Sequence, residues 1–207
     1  MRKIKEKCGY DVSFSTHSII TEKTDWSSVV ESDSFFKDVE VISDLDEFIN
    51  LVNQSRTLSA ITIAEYILSK IKCTHLKLQK LVYLCYADYI CETGKELFDD
   101  EIYAFNYGPV VSSVYNKYKC YKYEEINMSI SPTMQLPIKS RITFTRDGFE
   151  KIFSINKTLG KYGIFSANEL VDITHTIESP WDIVYDGSMY KKIPNEIIIK
   201  FHKNETF

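Results

Sequence analysis

The sequence predicts a mainly α protein: a compact domain of about six or seven helices with minor β structure over residues 58–207, preceded by a small α/β appendage over residues 1–57. Apolar residues recur at helical spacing through most of the chain beyond Ser59. Two-residue alternation, the mark of a half-buried strand, is confined to brief stretches. Helix-start and helix-stop residues punctuate the apolar stripes.

In the appendage, Val12 with Phe14 and Val39 with Val41 alternate, which predicts edge strands or a hairpin. Ser43 or Asp44 can cap a helix whose Leu45, Phe48, Ile49 and Val52 share a face, and Asn53-Gln54-Ser55 reads as its end. The main domain opens on a stripe of Ile61, Ala64, Ile67, Leu68 and Ile71. Thr74 is placed to cap a longer helix in which Leu78, Leu81, Val82, Cys85 and Tyr89 recur with helical spacing, and Gly94 is placed to close it. The turn KELFDDE leads to an aromatic run at 102–107. Gly108-Pro109 then reads as a turn or a helix start, and Val110, Val111, Val114, Tyr115 and Tyr118 continue helically to about Cys120. Residues 124–140 read as a loop, and RITFTRDG as a short strand and turn. Phe149, Ile152, Phe153, Ile155 and Leu159 mark another helix. Ser166 with Glu169 forms a capping box, and Pro180 and Pro194 each begin a short helix.

Composition bounds the function. Apolar residues make up 44% of the chain and charged residues 26%, enough of the former for a buried core. Fourteen tyrosines against two tryptophans suit half-buried positions and binding faces, although an A/T-rich genome accounts for them at least as well. Residues 1–56 carry seven Lys/Arg against eleven Asp/Glu and so the whole of the net charge of −4. The balanced remainder argues against a nucleic-acid binder, whose affinity rests on neutralising phosphates. The five cysteines include no CxxC, and no apolar segment resembles a signal peptide or a membrane span, so a reducing cytoplasm is expected.

Signals of chemistry are sparse. Cys73 and His75 lack two further ligands for a metal site, and no cofactor is expected. There is no GxSxG and no glycine-rich phosphate loop. His175 reads as a helix C-terminal histidine, favoured by the helix dipole and packed beside Trp181, rather than as a catalytic base. The run at 115–123 interleaves lysine and tyrosine. It reads as an amphipathic surface helix, with Glu124 and Glu125 cancelling its charge, rather than as a nucleic-acid platform.

Five phrases stand in order: Thr74 with Lys77 to Leu81 and Tyr83; Gly94 with Leu97 and Phe98; Ala104 with Tyr107 to Val110; Leu170 with Thr174 and His175; and Pro180-Trp181. Together they resemble the Panacea domain, the SocA- or GepA-like family of phage-associated proteins, across residues 59–204. The segment 124–146 is longer and more polar than that family suggests, and residues 1–57 lie outside the domain. The resemblance implies an antitoxin that neutralises a cognate protein toxin, encoded by an adjacent gene, through direct binding. A proteolytic adaptor delivering the toxin to a Clp-type protease is the alternative. An enzyme using His175 is a more distant one. A homodimer is compatible, and no membrane or nucleic-acid partner is implied.

Within the motif, Leu78, Leu81 and Val82 are expected in the core. Lys77 and Lys80 are expected at a solvated or partner-facing edge. Gln79 can bridge helices, Tyr107, Gly108 and Pro109 set the chain direction between two helices, and Trp181, behind Pro180, anchors the turn at Thr174 and His175. The partner surface is expected on Tyr115, Lys117, Tyr118, Lys119, Lys122 and Tyr123, with help from the appendage.

Overall fold

A computed structural model describes residues 2–8, 18–127, 137–188 and 190–205. The chain divides into two compact units, Met1–Ser55 and Arg56–Phe207.

In the first unit, α1 (Arg2–Cys8) packs on α3 (Leu45–Ser55) around Ile4, Cys8 and Ile49, and both Lys3 and Lys7 pair with Asp46. Of the two caps considered for α3, Asp44 takes the role: its side chain accepts from Glu47 N at 2.7 Å. The helix runs through the expected break at Asn53 and Gln54. In the chain segment that joins these helices, α2 (Trp26–Ser32) is capped by Asp25, and Trp26 meets Phe36 edge to face at 6.0 Å. Val39 and Val41 are exposed and pair with no strand among the described residues. The Val12 and Phe14 alternation lies outside the described residues.

The second unit is built around α5 (His75–Thr93). Thr74 caps it by accepting from Lys77 N, and Gly94 ends it at φ +70° with its N–H returned to Ile90 O. Every residue from Leu78 to Ala87 is buried, so α5 is enclosed on all sides rather than along one stripe. Its neighbours are α4 (Ala60–Leu68), α6 (Ser112–Tyr118), α8 (Gly148–Tyr162), α9 (Ala167–Thr174) and α11 (Asn195–Phe201). Two shorter helices complete the shell, α7 (Ile138–Thr143) and α10 (Pro180–Val184). The capping box at Ser166 and Glu169 is formed in full, and Pro180 occupies the first turn of α10 behind the cap Ser179.

RITFTRDG was expected to hold a strand, but α7 runs through its start. Ile142 is fully buried between α4 and α8, and Arg141 reaches Glu65 at 2.7 Å and Thr62 at 3.2 Å. These tertiary contacts outweigh the β preference of Ile and Thr. The aromatic run forms β1 (Ile102–Phe105), and Gly108-Pro109 begins β2 (Gly108–Val111) instead of a helix. The two strands pair antiparallel, with Phe105 opposite Gly108, and β3 (Lys191–Lys192) adds to the other edge of β1. Asn106 and Tyr107 make the hairpin turn without positive φ. Gly108 takes it instead, at +97°, as in hairpins closed by a glycine bulge. Among the described residues, no helix is long and apolar enough to cross a membrane.

Candidate functional site

Several motif residues, scattered through the sequence, meet at one buried junction. Helix α5 contributes Gln79 and Lys80, the hairpin contributes Gly108 and Pro109, the end of α9 contributes Thr174 and His175, and α10 contributes Trp181.

Lys80 is fully buried, contrary to the solvated edge expected of it. A lysine three residues from Lys77 looks surface-bound until α5 is seen to be enclosed. Its Nζ donates to Pro109 O at 3.1 Å. Burial pulls its pKa down to about 7, against the opposing charge of Glu205. Lys77 is only half-buried and donates to Gly163 O at 2.9 Å.

Gln79 bridges a helix to a strand rather than two helices. Its Oε1 accepts from Val111 N at 2.9 Å, and its Nε2 donates to Val111 O at 3.5 Å. These bonds and the Lys80 bond cover the outer edge of β2, where Pro109 has no N–H to satisfy. The Tyr107-Gly108-Pro109 phrase therefore reverses the chain between two strands, not between two helices.

Gly108 is required twice over. Its φ suits only glycine, and a Cβ there would press against Lys80 Nζ, with Thr174 Oγ1 at 3.0 Å and His175 Nε2 at 3.1 Å. Thr174 turns its hydroxyl back to Leu170 O at 3.0 Å, and Ser179 Oγ donates to Thr174 O at 2.9 Å. The His175 ring lies flat on Trp181, with centroids 3.6 Å apart and planes 8° apart, and Trp181 stacks in turn on Tyr185. Trp181 Nε1 donates to Phe105 O at 2.7 Å, which anchors the α9–α10 turn to the hairpin. Burial, followed by the charge of Lys80, lowers the His175 pKa to about 4. The ring is thus neutral, and the charge–dipole part of its expected role does not operate. Its Nε2 is buried without a hydrogen-bond partner among the described residues, and the ring does not line the groove described below.

Tyr83 leads to a second buried cluster. Its hydroxyl donates to Glu205 Oε2 at 2.8 Å; Glu205 meets His202 Nδ1 at 2.7 Å, and His202 Nε2 meets Asp88 Oδ1 at 2.8 Å. Thr158 donates to the other Asp88 oxygen at 2.7 Å. Burial opposes a charge on His202, but its bonds to the two carboxylates prevail and raise its pKa to about 9. Burial likewise opposes the Asp88 charge, and the bonds from His202 and Thr158 prevail to lower its pKa. This cluster ties the final turn of the chain to α5 and α8. Sequence reasoning missed all three ionisable members. The one available signal is Asp88 itself, a carboxylate inside an otherwise enclosed helix, which must have a partner.

Beside the junction lies an open groove of about 800 Å3. The start of α5, the hairpin, α6 with the turn after it, and the start of α9 line it. Tyr115, Lys119, Lys122 and Tyr123, expected at a partner surface, line one side together with Tyr107 from the motif. Tyr123 is 95% exposed and Tyr107 69%. Two other residues of that set are elsewhere: Tyr118 is only 4% exposed, within the core, and Lys117 pairs with Glu65 at 2.6 Å. The helical period explains the separation, because Tyr118 follows Val114 onto the inward face.

Comparison with known proteins places the sequence in a family. The family model described as "Antitoxin SocA-like, Panacea domain" matches residues 78–182. The chain is similar to Antitoxin SocA of Caulobacter vibrioides (strain NA1000 / CB15N), with 26% identity over 148 residues, covering 66% of this chain and 76% of the relative. No solved structure matches. The matched span runs from Leu78 to Asp182 and so includes Lys80, Gly108, His175 and Trp181, the residues that close the junction. With more than half of its length matched, the chain belongs to the SocA-like antitoxin family that carries the Panacea domain.

Proposed function

We propose that this chain neutralises a cognate protein toxin in the cytoplasm by binding it directly, without chemistry of its own. The observation that carries this reading is the contrast between the two regions. The junction residues Gln79, Lys80, Gly108, Thr174 and Trp181 are buried and hold the frame, whereas the tyrosine- and lysine-rich groove beside them is open to a partner. Exposed tyrosines beside a concave surface suit protein recognition, since a ring can bury much area at little entropic cost. A catalytic role for His175 finds no support in a neutral ring stacked on Trp181 and turned from the groove.

The test is co-expression with the product of the adjacent gene. Growth arrest by the neighbour alone, rescue by this chain and co-purification of the two proteins are expected. A harmless neighbour would refute the reading. So would rescue without a recoverable complex in cells lacking Clp-type proteases.

A further inference from the structure

Building on the toxin-binding reading, we propose that the groove receives a segment of the toxin in which an apolar or aromatic anchor is neighboured by an Asp or Glu. The floor supplies the anchor site: Phe105 and Tyr115 meet edge to face at 5.5 Å, with Val110 beside them in the lining. A volume of about 800 Å3 admits several side chains.

One wall carries Lys119 and Lys122. Among the described residues, neither has a carboxylate partner, whereas Lys95, Lys117, Lys157, Lys191 and Lys192 each form an ion pair. Lys119 Nζ instead donates to Asn116 and lies 5.6 Å from the Tyr115 ring centroid. Two cations with no paired carboxylate among the described residues, beside an aromatic floor, complement a carboxylate next to an apolar side chain. The first turns of α5 and α9 open on the same groove and add to its positive potential. Asp172 on the α9 side sets the direction, since it repels the acidic end of the segment toward the lysines.

The experiment measures the affinity of the full chain for a catalytically inactive toxin by calorimetry, alongside growth rescue by the same variants. Lys119→Glu with Lys122→Glu reverses the cationic wall, and Val171→Trp fills the groove from α9. Lys157→Glu changes charge elsewhere as a control. Each groove variant is expected to weaken binding by about tenfold or more, and the control by less than about threefold. Melting temperatures identify any variant that fails to fold, and the two groove variants perturb different walls. If the wild type rescues and binds while both folded groove variants bind like the control, the groove inference falls and the antitoxin reading stands. If the wild type itself neither rescues nor binds, both fall.

Discussion

Replacing Gly108 with alanine puts the junction under the most direct stress. A non-glycine residue on the left-handed side of the map costs about 1–2 kcal/mol. The added methyl would also enter contact with Lys80 Nζ and crowd Thr174 and His175. Lys80 is fully buried, so moving its ammonium off Pro109 O leaves a buried donor and acceptor unpaired, at about 1–3 kcal/mol. Together these give about 2–5 kcal/mol, a large fraction of the stability of a small domain. Gly94 provides the internal comparison. It has φ +70°, but a Cβ there meets nothing within 4 Å, so Gly94→Ala costs only the backbone share, about 1–2 kcal/mol. Urea unfolding of the two variants reads the difference. Equal destabilisation by both would refute the claim that Gly108 is held by the approach of Lys80.

Four further outcomes follow from the two buried clusters. In an NMR titration, the His202 ring should remain protonated at pH 7.5 and titrate near 9. Because that pKa is raised, the His202 contribution is complete below about 6.5 and lost as pH rises through 9. Asp88→Asn should lower the pKa and cost about 3 kcal/mol. Lys80 has the opposite sign. Its pKa is lowered to about 7, so the unfolded chain binds more protons between pH 7 and 10.5, and stability from this group rises across that window. The stability of the wild type relative to Lys80→Met should therefore grow from pH 7 to 10, and a constant difference in urea unfolding would contradict the burial of the ammonium. Gln79→Ala should cost about 2 kcal/mol and speed amide exchange at Val111, whose N–H and C=O it leaves unpaired.

What the sequence made legible was local. Thr74, Gly94, Ser166 with Glu169, and Pro180 act through bonds within a few residues, and each stands where its pattern placed it. The family phrases could be assembled in order, but their meeting at Gly108 depends on long-range packing that no spacing reveals. Lys80 looked solvated because periodicity gave α5 one apolar stripe. In fact Tyr83, Leu84, Tyr86 and Ala87 are buried between the stripe positions, and the helix is enclosed. The helix at 138–143 and the two-residue β3 were not legible for the same reason: Ile142 and the Lys191-Lys192 pair are fixed by partners far along the chain. Of the tyrosine and lysine run, the sidedness was not legible: Tyr115, Lys119, Lys122 and Tyr123 line the groove, whereas Tyr118 turns inward.

Hydrogen exchange of the chain with and without its toxin tests direct neutralisation most plainly, because it reports both whether the two proteins bind and where. Binding in the groove predicts slower exchange at the hairpin turn 105–107, at 115–123 and at the start of α9, with the enclosed core of α5 little changed. A saturating toxin that protects no segment of this chain, although growth is still rescued in cells, would contradict direct binding and bring the proteolytic route forward.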